Sequence, residues 1–136
     1  MKTTIYLAGP MDGRTEEERK GWRREIKTAL SPYFEFEDPT DREFLSKHKH
    51  FDEINKIVEG DKDAIDKSDF VVAHCDRPSV GTSMEIFYAW NQGKSVYTYI
   101  PPGVPISPWI SYHSELVYDS LEELQKDLIA LSKLLD

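Results

Sequence analysis

The chain has 136 residues, a hydrophobic fraction of 39% and an aromatic fraction of 12%, which suit one globular domain over 1–136 with a single core. Its formal net charge of −8, with no basic stretch to offset it, argues against a nucleic-acid polymer as partner. A free nucleotide is not excluded, because helix termini and hydroxyls bind a phosphate without a basic surface. The one cysteine, Cys75, has no internal disulfide partner, and no apolar run reaches membrane-spanning length, so a cytoplasmic protein away from membranes is expected.

Met1-Lys2-Thr3-Thr4 leads straight into the apolar run Ile5-Tyr6-Leu7-Ala8, leaving no room for a signal peptide. That run, ended by Gly9-Pro10, predicts a buried first strand. Glu16 to Leu30 predicts a helix with Trp22, Ile26, Ala29 and Leu30 on one face, stopped by Ser31-Pro32. Phe34 to Glu37 alternates as a second strand and ends at Asp38-Pro39. Residues 38–51 are polar, carry His48 and His50 among lysines, and read as a mobile loop or short helix over one end of the sheet.

Asp52 to Lys67 predicts a second helix, with Gly60 as a point of interruption. Phe70 to His74 is the third strand, Ser83 to Gln92 a helix with Gly93 at C′, and Ser95 to Ile100 the fourth strand. Pro101 to Pro108 reads as a constrained proline loop, and Val117-Tyr118 as a last short strand. Leu121, Leu124, Leu128, Leu131 and Leu135 then form the apolar seam of a terminal helix. Strands alternating with helices imply a parallel sheet covered on both faces, with ligands beyond the carboxyl ends of the strands. The loops Gly9-Pro10-Met11-Asp12-Gly13 and Ser79 to Glu85 both fall at that edge.

The segment Pro78-Ser79-Val80-Gly81-Thr82-Ser83-Met84-Glu85 carries the strongest chemical signal. With Thr82 or Ser83 as cap, Glu85 falls in the first turn, where free N–H groups and the helix dipole favour its ionised form. A lone acid at a helix start is common and worth under about 1 kcal/mol. Glu85 has company, however. Asp61 lies 24 residues upstream on the preceding helix, and Tyr6 and Gly9 end the first strand. Two carboxylates around a sugar are what a retaining glycosidic displacement uses. Taken alone, Asp61 reads as a solvated helix charge.

The remaining groups say less. None of the four histidines has metal-ligand spacing to cysteine or carboxylate, so no metal is expected, and no cofactor is expected because carboxylates and protonation of the leaving base supply the chemistry. Cys75 lacks an evident base, and with His74 reads as strand-end packing. Trp22, Trp90 and Trp109 read as core or interface, Trp109 being the one placed to touch a base or a neighbouring subunit.

Ile5 to Pro10, Asp61 with Ile65 to Ala73, and Gly81 to Ile86 together resemble the nucleoside 2-deoxyribosyltransferase family over residues 4–110. That family includes 2′-deoxynucleoside 5′-monophosphate N-hydrolases. The resemblance implies a flavodoxin-like α/β sandwich with a mainly parallel sheet of about five strands. It also implies a homo-oligomer with shared active sites and a small nucleoside or nucleotide as ligand. Glu85 matches the nucleophile, Asp61 the acid that assists the leaving base, and Tyr6 the tyrosine that positions the nucleophile. Apart from the resemblance, Gly9 and Gly13 bracket Pro10-Met11-Asp12 and let backbone approach a ligand closely, so Gly9, Met11, Asp12, Gly13 and Gly81 are read as substrate-binding. Ser79 stands where base-exchanging members carry an aspartate, and is similar to the phosphate-binding serine of the hydrolase branch. Ser107 resembles a second such serine, supplied by a partner subunit. Asp12 departs from that branch, which has an arginine there. Cleavage of a deoxynucleoside monophosphate is therefore preferred slightly over base exchange, and a non-catalytic nucleotide-binding module stands as the alternative of another class.

Overall fold

The computed structural model describes residues 2–42 and 51–135. Along the chain run β1 (Thr3–Ala8), α1 (Glu16–Leu30), β2 (Phe34–Glu37), α2 (Phe51–Lys67), β3 (Phe70–His74) and α3 (Val80–Asn91). They are followed by β4 (Ser95–Tyr99), α4 (Pro108–Tyr112), β5 (Leu116–Tyr118) and α5 (Leu121–Leu135), with a 3-10 turn at Pro39–Asp41. The strands form one sheet in the order β2-β1-β3-β4-β5, every pair parallel. The fold is the flavodoxin-like α/β class expected; the strand order, which the sequence left open, puts the topological switch between β1 and β3.

Alternation along β1 divides the core. Ile5 and Leu7 face one side, with Trp22, Ile26 and Leu30 of α1 and Leu124 and Leu128 of α5. Tyr6 and Ala8 face the other, with Ala64 and Ile65 of α2 and Ile86 and Ala89 of α3. A period of two residues thus sends Tyr6 to the layer carrying both Asp61 and Glu85. Registers Tyr6↔Val71 and Ala8↔Ala73 bring the ends of β1 and β3 level, so the loops that follow open side by side.

Local signals account for most boundaries. Thr15 caps α1 in a full capping box with Glu18, whose carboxyl is held down to about 2 by hydrogen bonds from the Thr15 backbone and the Arg14 side chain. At the end of α3, Gly93 takes φ 79°, donating to Trp90 O while Lys94 donates to Ala89 O, the paired bonds of a Schellman stop. α2 runs unbroken through Gly60, contrary to the expected interruption. α4 was read as proline loop, yet Ser107 caps it by accepting from Trp109 N at 3.2 Å and Pro108 takes the first helical position. The expectations for His48 and His50 lie outside the described residues.

Arg23 has no signal in the hydrophobic pattern. It lies on the core face of α1 at 1% exposure, donating to the carbonyls of Leu7 at 3.2 and 3.3 Å and of Gly9 at 3.3 Å. Its charge is balanced by Asp38 at 3.6 Å, which Lys27 also meets at 2.5 Å. Burial opposes the Asp38 charge, but Lys27 and Thr40 outweigh it and hold the carboxyl below its usual range. Arg23→Met would leave the Leu7 and Gly9 carbonyls and part of Asp38 unpaired in the interior, at a cost of about 3–5 kcal/mol. Urea unfolding of the two proteins measures it, and a loss near zero would show that the pair does not hold this edge.

Candidate active site

A cavity of about 770 Å³ opens at the switch point, walled by the loop after β1, the Ile54–Asp61 stretch of α2, Arg42, and the entry to α3. Gly9, Met11, Asp12, Asp61, Ser79, Gly81 and Glu85, all expected at a ligand site, line it. Gly13 is not on the wall. Tyr6 is sealed beneath at 0% exposure, and its hydroxyl donates to Glu85 Oε2. The two acids and the tyrosine are therefore brought together, from three elements.

Gly9 is fixed by close approach. A Cβ there would stand 2.6 Å from the Trp22 ring, so any side chain would force the loop after β1 off its support. Trp22 in turn stacks on His74, ring centroids 4.8 Å apart, which tightens the ends of β1 and β3 against α1. Trp22 is thus core, as one of the expected alternatives had it. Cys75 and His74 pack, and burial moves the thiol up to about 12 and the imidazole down to about 4, so both stay neutral near pH 7.

The start of α3 corrects the sequence reading. The cap is Ser79, not Thr82 or Ser83: Ser79 Oγ accepts from Thr82 N at 3.3 Å and donates to Thr82 Oγ1 at 3.0 Å. Gly81 has open space about it and lies inside the helix rather than at its break. Starting three residues earlier moves Glu85 into the second turn, and no acid occupies the first. A helix dipole acts over about one turn. Burial therefore governs, reinforced by the nearby Asp61 charge, and it pushes the Glu85 carboxyl up to about 8 despite the Tyr6 hydrogen bond, Arg23 and Arg42. The same burial, with Glu85 and Asp61 close by, drives the Tyr6 phenol far above its ordinary value, so it remains a donor.

Two arginines were missed. Arg42, just after the 3-10 turn, pairs with Asp61 on the cavity wall. Arg77, from the loop after β3, donates to Asp12 O at 3.3 Å and also lines the cavity. Arg42 sits in a polar stretch without periodicity, so nothing in its neighbourhood points inward. Arg77 adjoins Pro78-Ser79, and that adjacency to the serine was the available signal.

Ser107 is not on this wall. It lines a second cavity of about 930 Å³ with Phe87, Trp109 and His113, and the two cavities share Arg77, Pro78, Ser79 and Thr82. Around it Trp109, Tyr112 and Met84 are 73%, 70% and 69% exposed. Among the described residues no group of three or more His, Cys, Asp or Glu side chains is placed to hold a metal ion, and no helix is long and apolar enough to cross a membrane.

A parallel doubly wound sheet with an acid pair and a tyrosine at its switch point defines an α/β protein built to act on a small ligand. The chain belongs to the nucleoside 2-deoxyribosyltransferase family, whose model, described as "Nucleoside 2-deoxyribosyltransferase", matches residues 5–123. Among solved structures it is similar to the 2-deoxyribosyltransferase of Bacillus psychrosaccharolyticus, at 17% identity and a TM-score of 0.74, with 90% of each chain covered. A conserved protein from Enterococcus faecalis has 17% identity and a TM-score of 0.72, covering 93% of this chain and 96% of its own. The CMP N-glycosidase BcmB of Clostridium botulinum has 20% identity and a TM-score of 0.60, covering 94% and 99%. No curated protein matches the chain in sequence. Family membership supports an enzyme that transfers or cleaves at the glycosidic bond of nucleosides or nucleotides.

The raised Glu85 carboxyl has a consequence for stability. Between about 4.5 and about 8 the native state binds a proton that the unfolded chain has released, so stability present below the lower value is lost as pH rises through the upper one. Glu85→Gln has nothing to ionise there. Its melting temperature should climb relative to the parent between pH 5 and pH 9, and a difference that stays flat or shrinks would contradict the buried acid.

Proposed function

We propose that the protein cleaves the N-glycosidic bond of 2′-deoxynucleoside 5′-monophosphates, with deoxynucleosides as weaker substrates, through a covalent glycosyl-Glu85 intermediate. The observation that carries this reading is the buried Tyr6 hydroxyl donating to Glu85 on the wall of a cavity that Asp61 shares. Glu85 Oε attacks C1′ as the bond to the base nitrogen breaks. The electron pair leaves with the base, which takes a proton relayed from solvent through a water that the Asp61 carboxylate holds. Tyr6 keeps Glu85 in one rotamer and lowers its proton affinity. Water then attacks C1′, the ester oxygen leaves, and Glu85 is regenerated while Asp61 takes the water's proton.

Glu85 attacks as the carboxylate, so kcat/KM should rise with pH until about 8. The phosphate end falls to Ser79, Arg77 and the first N–H groups of α3, a twelve-residue helix whose N-terminus borders the cavity. Arg77 supplies the cation absent at Asp12, and it draws the Asp12 carbonyl toward itself. A homo-oligomer is part of the same reading. The exposed Met84, Trp109 and Tyr112 are apolar surface of the kind a second copy covers, next to Ser107.

Base exchange is the second reading, favoured by the name of the family that matches. The non-catalytic module is the third, in which Glu85→Ala leaves every activity as it was. Incubation with deoxynucleotides and deoxynucleosides, with and without an acceptor base, separates them. Free base and deoxyribose 5-phosphate from the nucleotide alone are expected; exchanged nucleoside with an intact nucleotide would reverse the preference. Arg77→Ala should raise KM for the monophosphate about tenfold or more and leave the nucleoside unaffected, from the loss of one charge-assisted hydrogen bond.

A further inference from the structure

Gly60 is an odd residue to find in the middle of α2. Glycine there costs a helix about 0.5–1 kcal/mol against alanine, and α2 continues uninterrupted through that point. A Cβ built on Gly60 would stand 2.6 Å from Nη1 of Arg42. The guanidinium thus lies directly over the bare Cα, and its other nitrogen, Nη2, pairs with Asp61 Oδ1 one residue along the helix. Arg42 arrives there from a fixed start: Asp38, the buried partner of Arg23 and Lys27, accepts from Thr40 N at 2.8 Å and Thr40 Oγ1 at 2.7 Å, closing the 3-10 turn that ends at Arg42.

We infer that Arg42 is a positioning residue of this site, and that Gly60 is glycine because its missing Cβ leaves the seat from which Arg42 holds Asp61 on the cavity wall. The inference rests on the proposed roles of Asp61 and Glu85 and names the device that sets their relative placement. The pair with Arg42 is what chooses the rotamer of Asp61, a short side chain on the edge of α2. With it, the carboxylate is fixed and a positive charge stands within reach of both Glu85 and Tyr6. Among the described residues, the charged and titratable groups that weigh most on Glu85 are Tyr6 from β1, Asp61 from α2, Arg23 from α1 and Arg42 just after the 3-10 turn. Of these four, Arg42 alone lies outside the helices and strands, and its guanidinium reaches the site across the bare Cα of Gly60.

A merely structural glycine and a positioning glycine predict opposite pairs of effects. Alanine at 60 improves the helix, so Gly60→Ala should melt at or above the parent temperature. The clash falls on the far end of a flexible side chain, so Arg42 moves rather than the fold. Activity should then drop while stability does not. Arg42→Met should lower kcat/KM about ten- to a hundredfold, the loss expected for one charge-assisted hydrogen bond. Arg42→Lys should recover part of it, because charge is kept and the two-pronged guanidinium is not.

The deciding measurement is the titration of Glu85, followed by carbon NMR of protein labelled at glutamate carboxyls, in the parent, Arg42→Met, Arg42→Lys and Gly60→Ala. Removing or displacing the cation should move the Glu85 midpoint upward in Arg42→Met and in Gly60→Ala, and leave Arg42→Lys near the parent. The acid limb of the kcat/KM profile should move with it. A Glu85 titration unmoved in Arg42→Met overturns the role of Arg42, whatever the turnover. A Gly60→Ala protein with the parent's titration and turnover overturns the seat. Failure of the functional reading looks different: Glu85→Gln would retain full turnover, while the titrations still decide whether Arg42 and Gly60 act on this site.

Discussion

A hydrogen bond from a tyrosine at the core of the sheet to a glutamate on the cavity wall ties this fold to its chemistry. Tyr6 is held by strand pairing on both sides, β2 and β3, and by burial among α2 and α3. Its hydroxyl has no freedom to leave, so Glu85 is presented by a rigid support. The carboxyl remains at the boundary of a cavity while its proton affinity is set by the interior. Burial is the largest contribution and opposes ionisation. Tyr6, Arg23 and Arg42 oppose burial, each from a different element. The site is therefore a balance between the packing of one layer and the charges that surround it.

That balance explains why charged residues run so deep in so small a domain. Arg23 is nearly sealed, yet it satisfies the carbonyls of Leu7 and Gly9 where β1 ends and the loop lining the cavity begins. Asp38 neutralises it from the end of β2 and, through its turn, launches Arg42 toward Asp61. The chain Arg23, Asp38, Arg42, Asp61 follows the topology: α1, the end of β2, the turn after it and α2. Buried ion pairs contribute little net stability once desolvation is counted. Their worth here lies in fixing geometry at a strand edge where two loops must stay a set distance apart.

The fold was legible because its signals are periodic. Short apolar runs ending in Gly9-Pro10 or Asp38-Pro39, and the amphipathic Glu16–Leu30, leave few other arrangements, and strand boundaries came within two residues. The acids and the tyrosine were legible from spaced blocks of sequence that a family shares. What escaped was of two kinds. The start of α3 and the existence of α4 depended on which of several serines and threonines acts as cap, and Ser79 and Ser107 were read as loop because proline stands beside them. The arginines escaped because their partners are carbonyls and acids brought near only by the crossovers, so no local pattern marks Arg23, Arg42 or Arg77 as facing inward. One such miss inverted a conclusion: moving a helix start by a single turn replaced a dipole-favoured anion by an acid governed by burial.

The proposed reaction requires the carboxyl at position 85 to form a bond to the sugar. Acid-quenching the protein during turnover of a deoxynucleotide, followed by peptide mapping by mass spectrometry, tests it directly. A deoxyribosyl phosphate adduct is expected on the peptide carrying Glu85, located to that residue and absent from Glu85→Gln. An adduct on another side chain, or steady release of base with no adduct at Glu85 even when the second step is made slow, would contradict it.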